Sequence, residues 1–128
     1  MFKKLALIIE EKANETKHPY VEFEEKIIGY SHATVGGYIA KAWNLPEDLV
    51  DAISYHHTPT LSQNHGGLAD AIHIANGLAS ILGIGGGSDS FLNPIQQDPL
   101  DRLNVDRLVI ERILNDIGEC LLDPTLFS

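Results

Sequence analysis

Apolar positions recur at spacings of three and four along most of the chain, as they do on one face of an α-helix. The first segment shows this spacing in Phe2, Leu5, Ile9 and Ala13. No long segment alternates polar and apolar residues as a half-buried strand would. The pattern therefore predicts an all-α fold, a compact bundle of about six helices.

Turn and capping residues predict where these helices begin and end. Gly29 is expected to end the second helix, and Ser31 to cap the third. Asn44 is a predicted left-handed stop, and Pro59 prevents the fourth helix from continuing far. The predicted spans are 2–13, 19–28, 32–43, 45–57, 67–82 and 105–122, the last capped by Asn104 and followed by Pro124.

The predicted core comes from the apolar faces of the third, fourth and fifth helices. The helix over 67–82 is the most apolar, and its stripe leaves few positions for water, so we expect it to be central. The structural core is predicted to contain Trp43, Leu49, Ile53, Ile72 and Ala75.

Short polar side chains recur on the same helix, on the side opposite the apolar stripe. They form either a narrow solvated strip, which is ordinary on helix surfaces, or the lining of a polar pocket. In the second interpretation His73 and Asn76 face His32 and the pair His56 and His57. The polar row consists of Asp70, His73, Asn76 and Ser80.

Three histidines are predicted to stand near helix ends, where the helix dipole affects their charge. His32 falls in a first turn, where the dipole favours the neutral imidazole that a metal requires. His56 and His57 fall in a last turn, where protonation is favoured. Adjacent helical residues point about 100° apart, so this pair is expected to address different partners. Taken without the other histidines, His56 and His57 could instead have a purely structural role.

Composition narrows the class of protein. The chain has 128 residues, a length typical of one domain, and 18 acidic against 9 basic residues, for a net charge of -9. A surface this acidic argues against general nucleic-acid binding and against anionic membranes. Glu10 ends the apolar run that starts at Leu5, so no secretory signal is expected, and the predicted location is the cytoplasm.

The sequence lacks the residues needed for an internal disulfide, a phosphate-binding loop or nucleophilic catalysis. The lone Cys120 cannot form an internal disulfide and is expected in the core. The segment Gly83–Gly87 follows a helix and lacks a Lys, so a hinge is favoured over a phosphate cradle. No motif for a nucleophilic serine or cysteine occurs.

Four segments together resemble the HDOD family, the HD-related output domains of bacterial signalling proteins. The resemblance runs from about Phe2 to Gly83 and is to the C-terminal half of the family's domain, with a helical extension over about 98–123. It implies an HD-type helical fold in one domain, a bacterial cytoplasmic setting and a role in signalling or regulation. The segments are 24–36, 43–46, 52–59 and 72–79.

More distantly, the same positions are similar to the HD-GYP phosphodiesterases, which use metal ions to hydrolyse cyclic dinucleotides. The resemblance implies that His32, His56 and His57 are metal ligands. The chain departs from the pattern because it lacks a His-Asp dipeptide, has Asn76 in place of a later Asp ligand, and has no Gly-Tyr-Pro after His57. A dinuclear centre is therefore not expected, although three histidines could hold one Fe, Mn, Zn, Ni or Mg ion.

Two functions follow from these residues. The first is a non-catalytic regulatory module without a cofactor, which contacts another protein or a second copy of itself. The second is a degenerate metal-dependent phosphohydrolase, in which His73, oriented by Asp70, contacts phosphate or transfers a proton. We favour the first. A sensor that binds a cyclic dinucleotide or phosphate without hydrolysis is permitted by the residues but favoured by none of them.

Overall fold

The computed structural model describes residues 1–64, 67–84, 93–123 and 125, and within them the fold is all-α, as predicted. These residues form seven α-helices and one short 3₁₀ turn and include no strand. The helices are α1 (Phe2–Thr16), α2 (Tyr20–Ile28), α3 (His32–Ala42), α4 (Glu47–Tyr55), α5 (Leu68–Ile81), α6 (Gln97–Arg102) and α7 (Arg107–Leu122), and the 3₁₀ turn is Pro59–Leu61.

Most of the predicted helix ends are confirmed. The Ser31 hydroxyl accepts the backbone N–H of Thr34 at 3.2 Å and so caps α3. Gly29 and Asn44 adopt the left-handed conformation, with φ of 95° and 54°, after α2 and α3. Ser31 thus accepts a hydrogen bond from a free backbone N–H at the start of α3, and Gly29 and Asn44 end α2 and α3, as the sequence pattern predicts.

The region after α5 was predicted less well. The sequence pattern did not indicate α6, because a six-residue helix is too short to show an apolar period. Asn104 does not cap α7: it is the left-handed residue after α6, with φ of 53°, and Asp106 caps α7 by accepting the N–H of Val109 at 2.9 Å. The predicted hinge beyond Ile84, and Pro124, lie outside the described residues.

The main packing contacts join four pairs of helices that follow one another in the described chain. α1 packs on α2, α3 on α4, α4 on α5 and α5 on α6, while the 3₁₀ turn touches α4, α5 and α6. Gly37 allows α3 to approach α4 closely, because a Cβ at this position would overlap the Ser54 hydroxyl. This close contact brings the start of α3 near the end of α4. Within the described residues no helix has the length and apolar character needed to cross a membrane.

The buried core differs from the predicted one. Trp43 is 74% exposed, and Leu49, Ile72 and Ala75 are also exposed, while Ile53 is half-buried. Trp43 follows the last residue of α3, and α5 exposes Ile72 and Ala75 although it buries Leu78. Cys120 is exposed as well. The buried apolar side chains are Ile9, Ala13, Ala33, Ala40, Ala52, Ala69, Ile74 and Leu78.

The polar row of α5 faces inward. Asp70, His73 and Ser80 are buried, and Asn76 is half-buried. Buried polar groups are stable only when they are hydrogen-bonded, and each of the three buried ones has a partner. The pocket interpretation of this row is therefore closer to the structure than the solvated strip.

Candidate histidine site

Three histidines from two helix ends meet at one place. His32 is the first residue of α3, and His56 and His57 directly follow α4. One ring nitrogen from each residue lies within 4.8 Å of one from each of the others. The three residues that the sequence singled out as metal ligands are thus brought together; we call them the histidine site.

The convergence of His56 and His57 corrects the expectation that they address different partners. That expectation assumed that both residues are helical, but α4 ends at Tyr55, and His57 lies in the turn before Pro59. The two rings come within 4.1 Å of each other, measured between centroids. The side chains of these adjacent residues thus meet at one site where α4 ends, although the backbone of His56 keeps helical angles.

Glu24 of α2 holds His32 in place. Its carboxylate oxygen Oε2 accepts two hydrogen bonds from His32, one from the backbone N–H at 3.0 Å and one from ring Nδ1 at 2.6 Å. With its proton on Nδ1, His32 keeps a lone pair on Nε2, directed at the histidine site. The sequence pattern does not indicate this role of Glu24, because its bond to His32 crosses the turn between two helices and leaves no periodic signal.

The other two rings are also oriented by hydrogen bonds. His56 Nδ1–H donates to the carbonyl of Ile53 at 2.8 Å, which leaves a lone pair on Nε2. His57 Nε2–H donates to His32 Nε2 at 3.0 Å. This assignment follows from the acceptors around each ring. Two of the three rings therefore present a lone pair in the tautomer that a metal requires.

Burial keeps two of the rings neutral. It lowers the pKa of His56 below its usual value, and the charges of His32 and His73 act in the same direction. Burial, together with the neighbouring His56 and His32, lowers the pKa of His57 to about 3. Both rings are thus uncharged near neutral pH, in contrast to the protonation that a helix C-terminus alone would favour.

The spacing of one pair of ring nitrogens fits two ligands of a single metal ion, which would take the place of the proton that His57 Nε2 donates. Metal–imidazole bonds of about 2.0–2.1 Å place two ligand nitrogens of one ion roughly 3.0–3.4 Å apart. His32 and His57 have their Nε2 atoms at this separation, 3.0 Å. Three histidines leave a fourth position of a tetrahedral ion open, and imidazole suits Zn, Ni or Fe better than Mg.

His73 and Asp70 do not form the predicted catalytic pair. His73 Nδ1–H donates to the carbonyl of His56 at 2.8 Å, and its Nε2 accepts the backbone N–H of Gln96 at 3.1 Å. Asp70 instead accepts two hydrogen bonds from Arg102 of α6, at 2.5 and 2.8 Å. With both ring nitrogens engaged, His73 supports the turn that carries His56 and has no nitrogen to offer a substrate.

Asn76 lines an open groove beside the histidine site. The groove has a volume of about 490 Å³ and lies between α4 and α5. The described residues that line it are His56, Asn76, Ala52, Ile53, Ile72, Ala75 and Ala79, and these include no lysine, arginine or carboxylate. A groove with this lining offers no cationic group to a phosphate.

The profile of the HDOD domain matches residues 1–59. This segment covers α1 to α4 and contains all three residues of the histidine site. It confirms the resemblance to the HDOD family over the N-terminal part of the chain, whereas the segment from 60 to 83 lies beyond the match. No curated protein and no solved structure matches this chain. The match supports an HD-related signalling or regulatory module.

Proposed function

We propose that the protein is a regulatory module of the HDOD type that acts by contacting another protein and catalyses no reaction. The observation that carries this proposal is the set of large apolar side chains exposed within the HDOD segment. Tyr38 and Trp43 are about three-quarters exposed, and Ile39, Leu45 and Leu49 are partly exposed. Exposed apolar surface that is contiguous is typical of interaction sites.

The surroundings of the histidine site support a role without catalysis. Hydrolysis of a phosphoester requires stabilisation of charge on the transferred phosphoryl group. Within the described part of the chain no Lys or Arg lines the adjacent groove, and the proton-transfer candidate His73 has both ring nitrogens engaged. These features favour a binding role over a phosphodiesterase.

Affinity purification followed by quantitative mass spectrometry tests this proposal. A Tyr38→Ala, Trp43→Ala double variant is compared with the wild type and with Leu108→Ala, a control that alters an exposed apolar residue of α7 outside the HDOD segment. We expect at least one protein to bind the wild type and the control but not the double variant. Equal recovery by all three, or metal-dependent phosphoester hydrolysis by the wild type, would contradict the proposal.

A second candidate function is metal binding, favoured by the convergence of three ring nitrogens in the histidine site. In this candidate His32, His56 and His57 hold one divalent ion, which would polarise a phosphoryl oxygen or activate a water at the open position. This candidate corresponds to the degenerate phosphohydrolase considered from the sequence. In it the ion would supply the chemistry, and His73 would not act as a general acid.

Elemental analysis of protein purified without chelator tests the metal candidate. The wild type is compared with a His56→Ala, His57→Ala variant and with His18→Ala, which removes an exposed histidine that pairs with Glu22. Near-stoichiometric Fe, Mn, Zn or Ni in the wild type and in His18→Ala, but not in the double variant, is the expected result. No metal in any sample, even after incubation with Zn²⁺, would rule the candidate out.

A further inference from the structure

A broad acidic groove lies on the opposite side of α4 from the histidine site's groove, between α3 and α4. Its volume is about 1220 Å³, and Tyr38, three-quarters exposed, forms part of its wall. The charged residues among its described lining are Glu47, Asp48, Asp51 and Lys41. We call this surface the acidic groove. It combines exposed aromatic area with an excess of negative charge.

The carboxylates of the acidic groove have different roles. Asp51 is held by the Ser62 hydroxyl at 2.5 Å and by the backbone N–H of Gln63 at 3.3 Å, so it fixes the loop at one end of the groove. Glu47 and Asp48 are exposed in the first turn of α4. They are placed to meet a cationic group from outside this chain.

The first half of α1 has complementary chemistry. Lys3 and Lys4 are exposed, and Leu7 and Ile8, one turn further on, expose 59% and 38% of their surface. Residues three and four apart lie on one helical face, so each lysine stands beside an apolar side chain. The positive end of the helix dipole adds to the charge of this segment.

We propose that the acidic groove binds the first half of α1 from a second copy of this chain. Lys3 and Lys4 meet Glu47 and Asp48, while Leu7 packs against Tyr38. This dimer shares one element with the proposed regulatory function: both place an interaction surface on α3 and α4. It rests on that function in no other respect. Because each copy carries both surfaces, reciprocal docking closes a two-fold dimer, whereas one-way docking would build an open chain.

Charge complementarity selects this occupant. The chain has a net charge of -9, so most other surfaces of a second copy would be repelled by the acidic groove. Three of the other basic side chains have partners within the chain: Arg102 with Asp70, Arg107 with Glu111, and Lys26 over the ring of Phe23. The remaining ones stand singly along the sequence, whereas Lys3 and Lys4 are adjacent. The first half of α1 therefore offers the exposed combination of two lysines and two apolar residues that the groove requires.

Sedimentation velocity on charge-reversal variants tests the dimer. We expect the wild type to sediment at low salt as twice the 14.0 kDa of one chain, with dissociation as protein is diluted or salt is added. Lys3→Glu, Lys4→Glu should weaken association by about tenfold or more, because like charges then meet in the groove. Glu47→Lys, Asp48→Lys should do the same, and combining all four changes should restore it.

A matched control separates local contact from overall charge. Lys12→Glu, Lys17→Glu makes the same change in net charge at the other end of α1 and should leave association unchanged. If Glu47→Lys, Asp48→Lys loses helix content by circular dichroism, Tyr38→Ala replaces it as the groove variant and should also weaken association.

A monomer at concentrations of a few hundred micromolar, or failure of the four-residue combination to restore association, would overturn this inference. Equal weakening by the control would attribute association to net charge and overturn it too. The proposal of a partner protein would then still be decided by its own purification experiment, so the two can fail separately.

Discussion

At the scale of single residues, the histidine site depends on the buried carboxylate of Glu24. Its hydrogen bonds to the backbone and ring of His32 join α2 to the start of α3. Carboxylates that accept the second ring N–H of a ligating histidine fix its orientation and raise its basicity. Glu24 is thus a positioning residue for any ligand that His32 holds.

Glu24→Gln should weaken metal binding at the histidine site. Gln keeps an acceptor oxygen for His32 but loses the negative charge, and changes of this kind cost about 10–100-fold in metal affinity. Calorimetric titration with Zn²⁺ measures the effect. The adjacent Glu25, which is exposed, provides the control: Glu25→Gln should bind as the wild type does, and equal affinity of both variants would contradict the assigned role.

The depressed pKa of His57 predicts a dependence of stability on pH in metal-free protein. Below about pH 6.5 the histidine of the unfolded chain takes up a proton, whereas the folded one, with a pKa of about 3, does not. The unfolded state then binds more protons, so the free energy of unfolding falls as the pH falls from about 6.5 towards 3.

Chemical denaturation between pH 7 and 4 measures this dependence. His57→Ala should show a shallower loss of stability than the wild type over this range, while His18→Ala, which changes an exposed residue, should follow the wild type. Identical slopes for wild type and His57→Ala would contradict the burial of a neutral ring.

At the scale of elements, the orientation of α5 determines how α6 and the segment before it pack against the rest of the domain. The polar row of α5 faces inward because neighbouring elements offer partners: Arg102 of α6 for Asp70, and the His56 carbonyl for His73. Gly77 lets the segment before α6 come close, since a Cβ there would overlap the side chain of Ile95. With this face inward, Ile72 and Ala75 of the same helix remain exposed.

Arg102→Ala should lower the melting temperature clearly. Asp70 is almost fully buried, and removing a charged partner leaves its carboxylate poorly compensated. Arg107→Ala is the matched control, because its ion pair with Glu111 is exposed and such pairs contribute little. Thermal unfolding followed by circular dichroism should rank the variants in this order; equal shifts would show that the buried pair does not anchor α6.

At the scale of the whole molecule, several large apolar side chains lie on the surface while small residues dominate the described core. Of the eight apolar residues that the structure shows buried, five are alanines, so the helices approach closely around few bulky side chains. The exposed aromatic residues on and beside α3 are therefore available to a partner. This distribution places Trp43 on the surface, whereas the sequence pattern predicts it in the core.

Trp43→Ala should change the free energy of unfolding by less than about 0.5 kcal/mol, as is usual for exposed positions. Ile9→Ala, at a position 1% exposed, should cost roughly 2–5 kcal/mol because it leaves a cavity. Urea denaturation of dilute protein measures both. A large loss for Trp43→Ala would show that the residue is covered, as in a stable dimer.

Local signals were enough to predict most helices and several of their ends. Helical periodicity, the Ser31 cap and the left-handed Gly29 and Asn44 depend on residues close in sequence, so α1 to α5 and α7 were predicted within a few residues. The short α6 was missed because six residues carry too little periodic information. The resemblance to the HDOD family rested on the same local segments.

The sequence alone thus determined the all-α fold and the residue types of the candidate site, because backbone geometry and side-chain chemistry are local properties. Only the tertiary structure decided which face of α5 is buried, that His56 and His57 share one site, and that Glu24 holds His32 while Asp70 binds Arg102. These outcomes depend on how helices cross and on partners distant in sequence. A periodic pattern defines the faces of a helix but does not indicate which element packs against each face.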